Sequence, residues 1–204
     1  MLKKISQGML LLGALTITTA AAAQSSPSTG THVNSTDIAA TFVFEHAQVA
    51  EINGNRFWPK GGDVNVGVTI WKGVGFAFDV AGEHKSNIQN GVNLDKISFM
   101  GGPRYTFNIS RGGESPGGRR PTRAFVQGLL GPTHAFDSLF PGPNAVSTSA
   151  NALSVQMGGG IDIPWRNGFS IRALEAGWIH SDYSNAAKDI QNDFRIGFGV
   201  SYRR

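Results

Sequence analysis

The sequence predicts an all-β protein: an eight-stranded antiparallel up-and-down transmembrane β-barrel with its apolar face outward. Three observations carry this. Segments of roughly eight to fifteen residues alternate apolar with small or polar side chains, the period-2 pattern of strands whose two faces meet different surroundings. The 204 residues include 27 glycines, no cysteine and only 16% charged side chains, a composition foreign to disulfide-stapled miniproteins and coiled coils. The non-apolar strand face is mostly Gly, Ala and Ser with widely spaced ions, whereas a water-facing exterior would be dense in Lys, Glu and Thr.

The N-terminal segment 1–23 has a basic start (Lys3, Lys4), an apolar run from Met9 to Leu15 and a small-residue end at Ala20 to Ala23. That is the build of a cleaved secretory signal peptide, and its apolar run is far shorter than the roughly 20 residues of a spanning helix. Residues 24–36 (QSSPSTGTHVNST) are Ser/Thr-rich without periodicity and read as a flexible lead-in to a barrel over 37–204. Removing Lys3 and Lys4 from the 18 basic residues leaves 16 against 14 acidic ones, a formal charge of +2, which gives no electrostatic support for nucleic acid as a partner. A hydrophobic fraction of 40% with 13 phenylalanines is too apolar for a disordered chain.

Strand by strand, Asp37 to His46 places Ile38, Ala40, Phe42 and Phe44 opposite Ala39, Thr41, Val43 and Glu45. Asp63 to Trp71 and Val74 to Glu83 flank a tight Lys72-Gly73 turn and form a hairpin. Asp95 to Ile109 sets Ile97, Phe99, Tyr105 and Phe107 against Lys96, Ser98, Gly102 and Arg104. Arg123 to Ala135 is ambiguous in phase, and we place Val126 and Leu130 outward. Ala152 to Ile163 alternates cleanly and reaches Phe169 to Tyr183 through a 164–168 connection, and this next strand changes phase near Leu174, as a bulge would make it do. Asn192 to Arg204 is the clearest, with Phe194, Ile196, Phe198, Val200 and Tyr202 against Arg195, Gly197, Gly199 and Ser201.

The connections divide into two sets. Links at 72–73, 164–168 and 110–122 lie at one end, and longer loops at 47–62, 84–94, 136–151 and 184–191 at the other, in the manner of short periplasmic turns and long outer loops. The Gly/Pro-rich, basic link Ser110 to Thr122 breaks the rule and reads as a solvated turn, with contact to an anionic envelope polymer as the alternative. Trp71, Phe107, Trp165, Phe169 and Tyr202 fall near the predicted inner ends, with Trp178 and Phe136 toward the outer ends, as aromatic belts require.

The stretch GGGIDIPWRNGFSIRALEAGW (Gly158 to Trp178) followed by QNDFRIGFGVSYRR (Gln191 to Arg204) resembles the C-terminal strands of the small outer-membrane β-barrel family that includes the OmpA-type transmembrane domain and opacity-like proteins. The resemblance implies an integral barrel of the Gram-negative outer membrane, surrounded by its lipids and lipopolysaccharide and inserted by the barrel-assembly machinery. That machinery usually reads a terminal aromatic residue, and here the chain ends Tyr202-Arg203-Arg204. The peptidoglycan-binding domain of longer relatives is not expected.

Inside so narrow a barrel, charges must pair. Arg104, Arg172 and Arg195 against Glu45, Asp79 and Glu175 are the expected ionic network, acting as a plug; a narrow porin-like channel for small solutes is the alternative. His32, His46, His84, His134 and His180 show no metal-ligand spacing, so neither metal nor cofactor is expected. Gly158-Gly159-Gly160 and Gly197-Phe198-Gly199 lie inside strands, the wrong context for a dinucleotide site. A lipid A deacylase-like enzyme would carry a His-x-Ser motif followed by Asn; here Asp182-Tyr183-Ser184-Asn185 puts aspartate in the base position, so no enzyme is expected. A secreted lipocalin-like barrel, with the apolar face inward, is the remaining alternative.

Overall fold

The period-2 pattern becomes a closed sheet. The computed structural model describes residues 35–48, 56–89, 92–110, 120–141, 146–183 and 190–204; the segment 1–23 lies outside them. The strands are β1 (Ser35–Gln48), β2 (Arg56–Phe57), β3 (Lys60–Trp71), β4 (Val74–Gln89), β5 (Val92–Asn108), β6 (Arg123–Pro141), β7 (Val146–Arg166), β8 (Phe169–Tyr183) and β9 (Ile190–Arg203). Each long strand pairs antiparallel with the next, and β1 pairs with β9 from Asp37↔Arg203 to His46↔Phe194, which closes the barrel. Mutual backbone hydrogen bonds of 3.0 Å between Thr36 and Arg204 extend the seam. β2 is a two-residue ribbon on the end of β1, leaving eight long strands in the wall.

Closure gives each of the eight long strands of the described wall a neighbour on both sides, the condition for crossing a bilayer with strands. Outward side chains are apolar almost throughout: Ile38 and Phe42 on β1, Phe76, Phe78 and Val80 on β4, Val126 and Leu130 on β6, Phe198 and Val200 on β9 are all exposed. The phase assigned to β6 is therefore the observed one. Inward side chains are buried and largely polar, including Asp37, Asp63, Asp79, Glu83, Arg104, Arg172 and Arg195. That polarity excludes the lipocalin-like alternative, because an apolar ligand would face carboxylates and guanidinium groups.

Both short hairpins are two-residue loops with positive φ at each central residue: Lys72 (45°) and Gly73 (89°), Asn167 (49°) and Gly168 (89°). Such turns match the strand twist, and glycine takes the second position without a Cβ penalty. The connection expected over 164–168 shrinks to its last two residues. β7 continues through Arg166, with a register shift between Pro164 and Arg166 absorbing the missing proline donor.

Strands also run further than expected at the other end. β4 and β5 extend to Gln89 and from Val92, and β6 and β7 to Pro141 and from Val146, so 84–94 and 136–151 are largely strand. Polar residues on both faces hide this extension from a periodicity argument. Register shifts between Lys85 and Gln89 and between Phe136 and Phe140 coincide with positive φ at Asn87 (52°) and Asp137 (58°), residue types that tolerate the left-handed region. At the N-terminal boundary β1 begins at Ser35, so the lead-in assigned to 24–36 loses its last two residues to strand. Of the 110–122 link, residues 111–119 lie outside the described residues.

Candidate functional site

The lumen is where this chain concentrates its chemistry, and the bulge in β8 is what assembles one wall of it. The register slips between Arg172 and Glu175, Ala173 and Leu174 are both exposed, and Arg172 and Glu175 consequently point inward together. Arg172 is 0% exposed. It grips Asp162 with two nitrogens (Nε to Oδ1 2.9 Å, Nη2 to Oδ2 3.3 Å) and donates Nη1 to Glu175 Oε2 at 2.9 Å. Bidentate geometry of this kind is among the stronger ionic contacts.

Arg104 on β5 reaches across the lumen to Asp37 on β1 (Nη1 to Oδ2 2.9 Å), donates Nε to Gln127 Oε1 at 3.0 Å and also contacts Asn65 Oδ1. Both arginines lie over the Phe125 ring, the Arg104 guanidinium carbon at 4.4 Å from its centroid and that of Arg172 at 4.6 Å. A shared aromatic face offsets part of the cost of holding two cations near each other. Glycines make the room: a Cβ at Gly67 would lie 2.3 Å from Arg104 Nη1, and one at Gly160 would lie 2.7 Å from the Phe125 ring.

Arg195 on β9 also spans the lumen, donating Nη2 to Asp79 Oδ1 at 3.2 Å and to Gln156 Oε1 at 2.6 Å, with Nη1 3.8 Å from Glu83 Oε1. Asn65 Nδ2 donates to the other Asp79 oxygen at 3.1 Å. Nearer the long-loop end, Lys96 is ion-paired with both Glu45 and Glu83, the latter at 2.9 Å. Apolar side chains fill space between these groups, with Ala77, Met100, Leu129 and Ile179 in one buried cluster and Ala135, Ala152 and Tyr183 in another.

All six residues expected in the ionic network (Glu45, Asp79, Arg104, Arg172, Glu175 and Arg195) are buried in the lumen. Their pairing differs in two respects: Glu45, expected to face an arginine, meets Lys96 instead, and Arg104 pairs with Asp37, outside the expected set. Sequence reasoning left Asp37, Asp63, Glu83, Lys96 and Asp162 out of the network. Their signal was present, since each shares the inward phase of its strand, and Lys96 already stood on the assigned polar face.

The expected belt residues Trp71, Phe107, Trp165, Phe169, Trp178 and Tyr202 are all exposed on the outer wall. Phe169 packs on Tyr202 at 5.0 Å between ring centroids, and Tyr105 stacks on Phe107 at 5.8 Å. At the long-loop end histidines join the aromatics: His46 stacks on Trp58 at 4.6 Å, His134 on Phe136 at 5.5 Å, and His180 lies 5.5 Å from Trp178. Each of three histidines also has a polar neighbour on the adjacent strand, His84 with Asp95 (2.7 Å), His134 with Asn151 (2.6 Å) and His180 with Asn192 (3.0 Å). His180, the base candidate nearest the deacylase-like motif, is therefore an outer-wall residue bonded to Asn192, and Ser184 lies outside the described residues. His32 lies outside them too.

No family model matches the chain, and no curated protein matches it. Solved structures do. Neisserial surface protein A aligns with a TM-score of 0.56 at 13% identity, covering 82% of this chain and 96% of that one. The fold is that of the small eight-stranded outer-membrane barrels. Ail, the attachment invasion locus protein of Yersinia pestis, aligns with a TM-score of 0.54 at 15% identity over 85% of this chain and 100% of its own. So low an identity across nearly whole barrels means that architecture is shared while the lumen and loop chemistry must be read from this chain's own residues.

Proposed function

We propose that this protein is an integral outer-membrane barrel, exported through a cleaved signal peptide, with a structural envelope or surface-interaction role and no enzymatic activity. Its lumen is closed by salt bridges. The observation that carries this reading is the set of ion pairs from β5 and β9 to β1 and β4, which link opposite walls through Arg104–Asp37, Lys96–Glu45 and Arg195–Asp79. Breaking a buried pair leaves a charge uncompensated, so such links resist opening. The apolar outer wall and its aromatic ends fit outer-membrane lipid and lipopolysaccharide, and insertion falls to the barrel-assembly machinery. The short hairpins then face the periplasm and the extended hairpins the exterior, where they are available for contact with surface partners.

Conductance of the purified barrel in a planar lipid bilayer tests the plug against the porin-like alternative. The parent protein is expected to stay silent, while Lys96→Ala, which leaves Glu45 and Glu83 facing each other, gives openings. Sustained conductance steps from the parent would overturn the plugged reading.

A further inference from the structure

Three lumen carboxylates lie closer together than their cations account for. Asp63 on β3, Asp79 on β4 and Glu175 on β8 are all buried, and one ligand oxygen from each lies within 4.8 Å of the others. Asp79 and Glu175 are engaged: Asp79 accepts from Arg195 and Asn65, and Glu175 Oε2 accepts from Arg172. Asp63 is 3% exposed, and neither of its oxygens has a hydrogen-bond partner. Glu175 Oε1 has none either.

The neighbouring cations are divided between this cluster and other carboxylates. Arg172 is shared by Asp162 and Glu175, and Arg195 by Asp79, Glu83 and Gln156. The charged groups acting on Asp63 are Glu175, Asp79 and Arg195, two like charges against one cation already divided. Thr41, opposite Asp63 in the β1–β3 register, brings its hydroxyl toward the Asp63 carboxyl without reaching full hydrogen-bond geometry. A buried carboxylate in this position must gain a counter-charge or take up a proton.

We propose that Asp63, Asp79 and Glu175 bind one divalent, oxygen-preferring cation inside the lumen, with Ca2+ the best fit. Three carboxylates and a hydroxyl form a hard-oxygen donor set. Ca2+ takes oxygens at about 2.3–2.6 Å in flexible geometry, and three carboxylate oxygens within 4.8 Å of one another can close on one such ion through small side-chain adjustments. Mg2+, with shorter bonds and a stricter octahedron, fits less well. Each engaged carboxylate keeps lone pairs for the ion, since a carboxylate offers about four acceptor sites. The ion joins β8 to β3 and β4 across the barrel, adding a metal cross-link to the salt bridges. Histidine spacing gave no expectation of a metal, and this site uses none of the histidines. The inference needs the closed barrel and its lumen, not the envelope role.

The test is refolding of the full chain into detergent free of lipopolysaccharide, with millimolar Ca2+, Mg2+ or EDTA present during folding because a plugged lumen hinders later entry. Metal retained after desalting and the temperature at which the folded gel band is lost are then measured. The parent is expected to keep one Ca2+ per barrel and to unfold at higher temperature in Ca2+ than in EDTA. Asp63→Asn should keep none, respond to neither condition, and in EDTA outlast the parent because the unpaired carboxylate is gone. Asp63→Ser serves if the asparagine variant fails to fold. Parent protein that retains no metal and unfolds identically in Ca2+ and EDTA would assign Asp63 a proton and overturn the site, as would an Asp63 variant that retains as much Ca2+ as the parent.

Discussion

Within β9, Arg195, Gly197 and Ser201 face the lumen, while Phe194, Ile196, Phe198, Val200 and Tyr202 face outward between them. The two faces of one strand thus obey opposite rules. In the lumen stability comes from specific pairing, and removing one charge strands its partners. On the outer wall it comes from unbroken apolarity, and adding one charge is what hurts. Substitutions of opposite chemistry on the two faces separate these rules.

The largest expected effect is in the lumen. Arg172→Ala should cost about 3–5 kcal/mol in urea unfolding of the refolded barrel, because Asp162 and Glu175 are left buried without a cation. If pairing is the cause, adding Asp162→Asn and Glu175→Gln recovers most of the loss. Next comes the middle of the outer wall, where Phe198 is 56% exposed and lies 6.1 Å from Phe42 and 6.5 Å from Phe44 between ring centroids. Phe198→Arg should cost about 2–4 kcal/mol in a lipid bilayer, the range for a cation at the midplane. Phe125→Leu keeps the lumen apolar at that point but removes the ring shared by two guanidinium groups, for an expected loss of about 2 kcal/mol. The smallest effect belongs to the belt: Trp165→Arg, at the short-turn end, should cost no more than about 1 kcal/mol in the same bilayer assay, since the penalty fades toward the interface. Equal costs for Phe198→Arg and Trp165→Arg would break the comparison, because they would mean that the outer wall meets one uniform medium.

The same contrast explains what the sequence disclosed. Alternation alone placed Ile38, Phe42, Phe194 and Phe198 outward, because facing in a strand is decided by parity. Parity also put Arg104 and Glu45 in the lumen but could not choose their partners. Pairing across a tilted barrel joins strands far apart in sequence, such as Arg104 with Asp37 and Lys96 with Glu45. Phe125 was hidden by the apolar residues on both faces of β6, and its role depends on two arginines from different strands. The extended hairpins over 84–94 and 136–151 were hidden for a different reason: beyond the apolar band polar residues stand on both faces, and apolar ones such as Leu94, Leu139 and Phe140 are too scattered to set a period. The β8 bulge announced itself only as a phase change near Leu174, yet it brings Arg172 and Glu175 to the same side.

The central claim is that the apolar wall faces lipid. Outer-membrane fractions washed with urea, extracted into detergent and run on a gel with and without boiling test it most directly. The account predicts that the protein stays with the membrane through the wash and migrates as a folded band that shifts on boiling. Recovery in the soluble fraction, with no difference between boiled and unboiled samples, would contradict it.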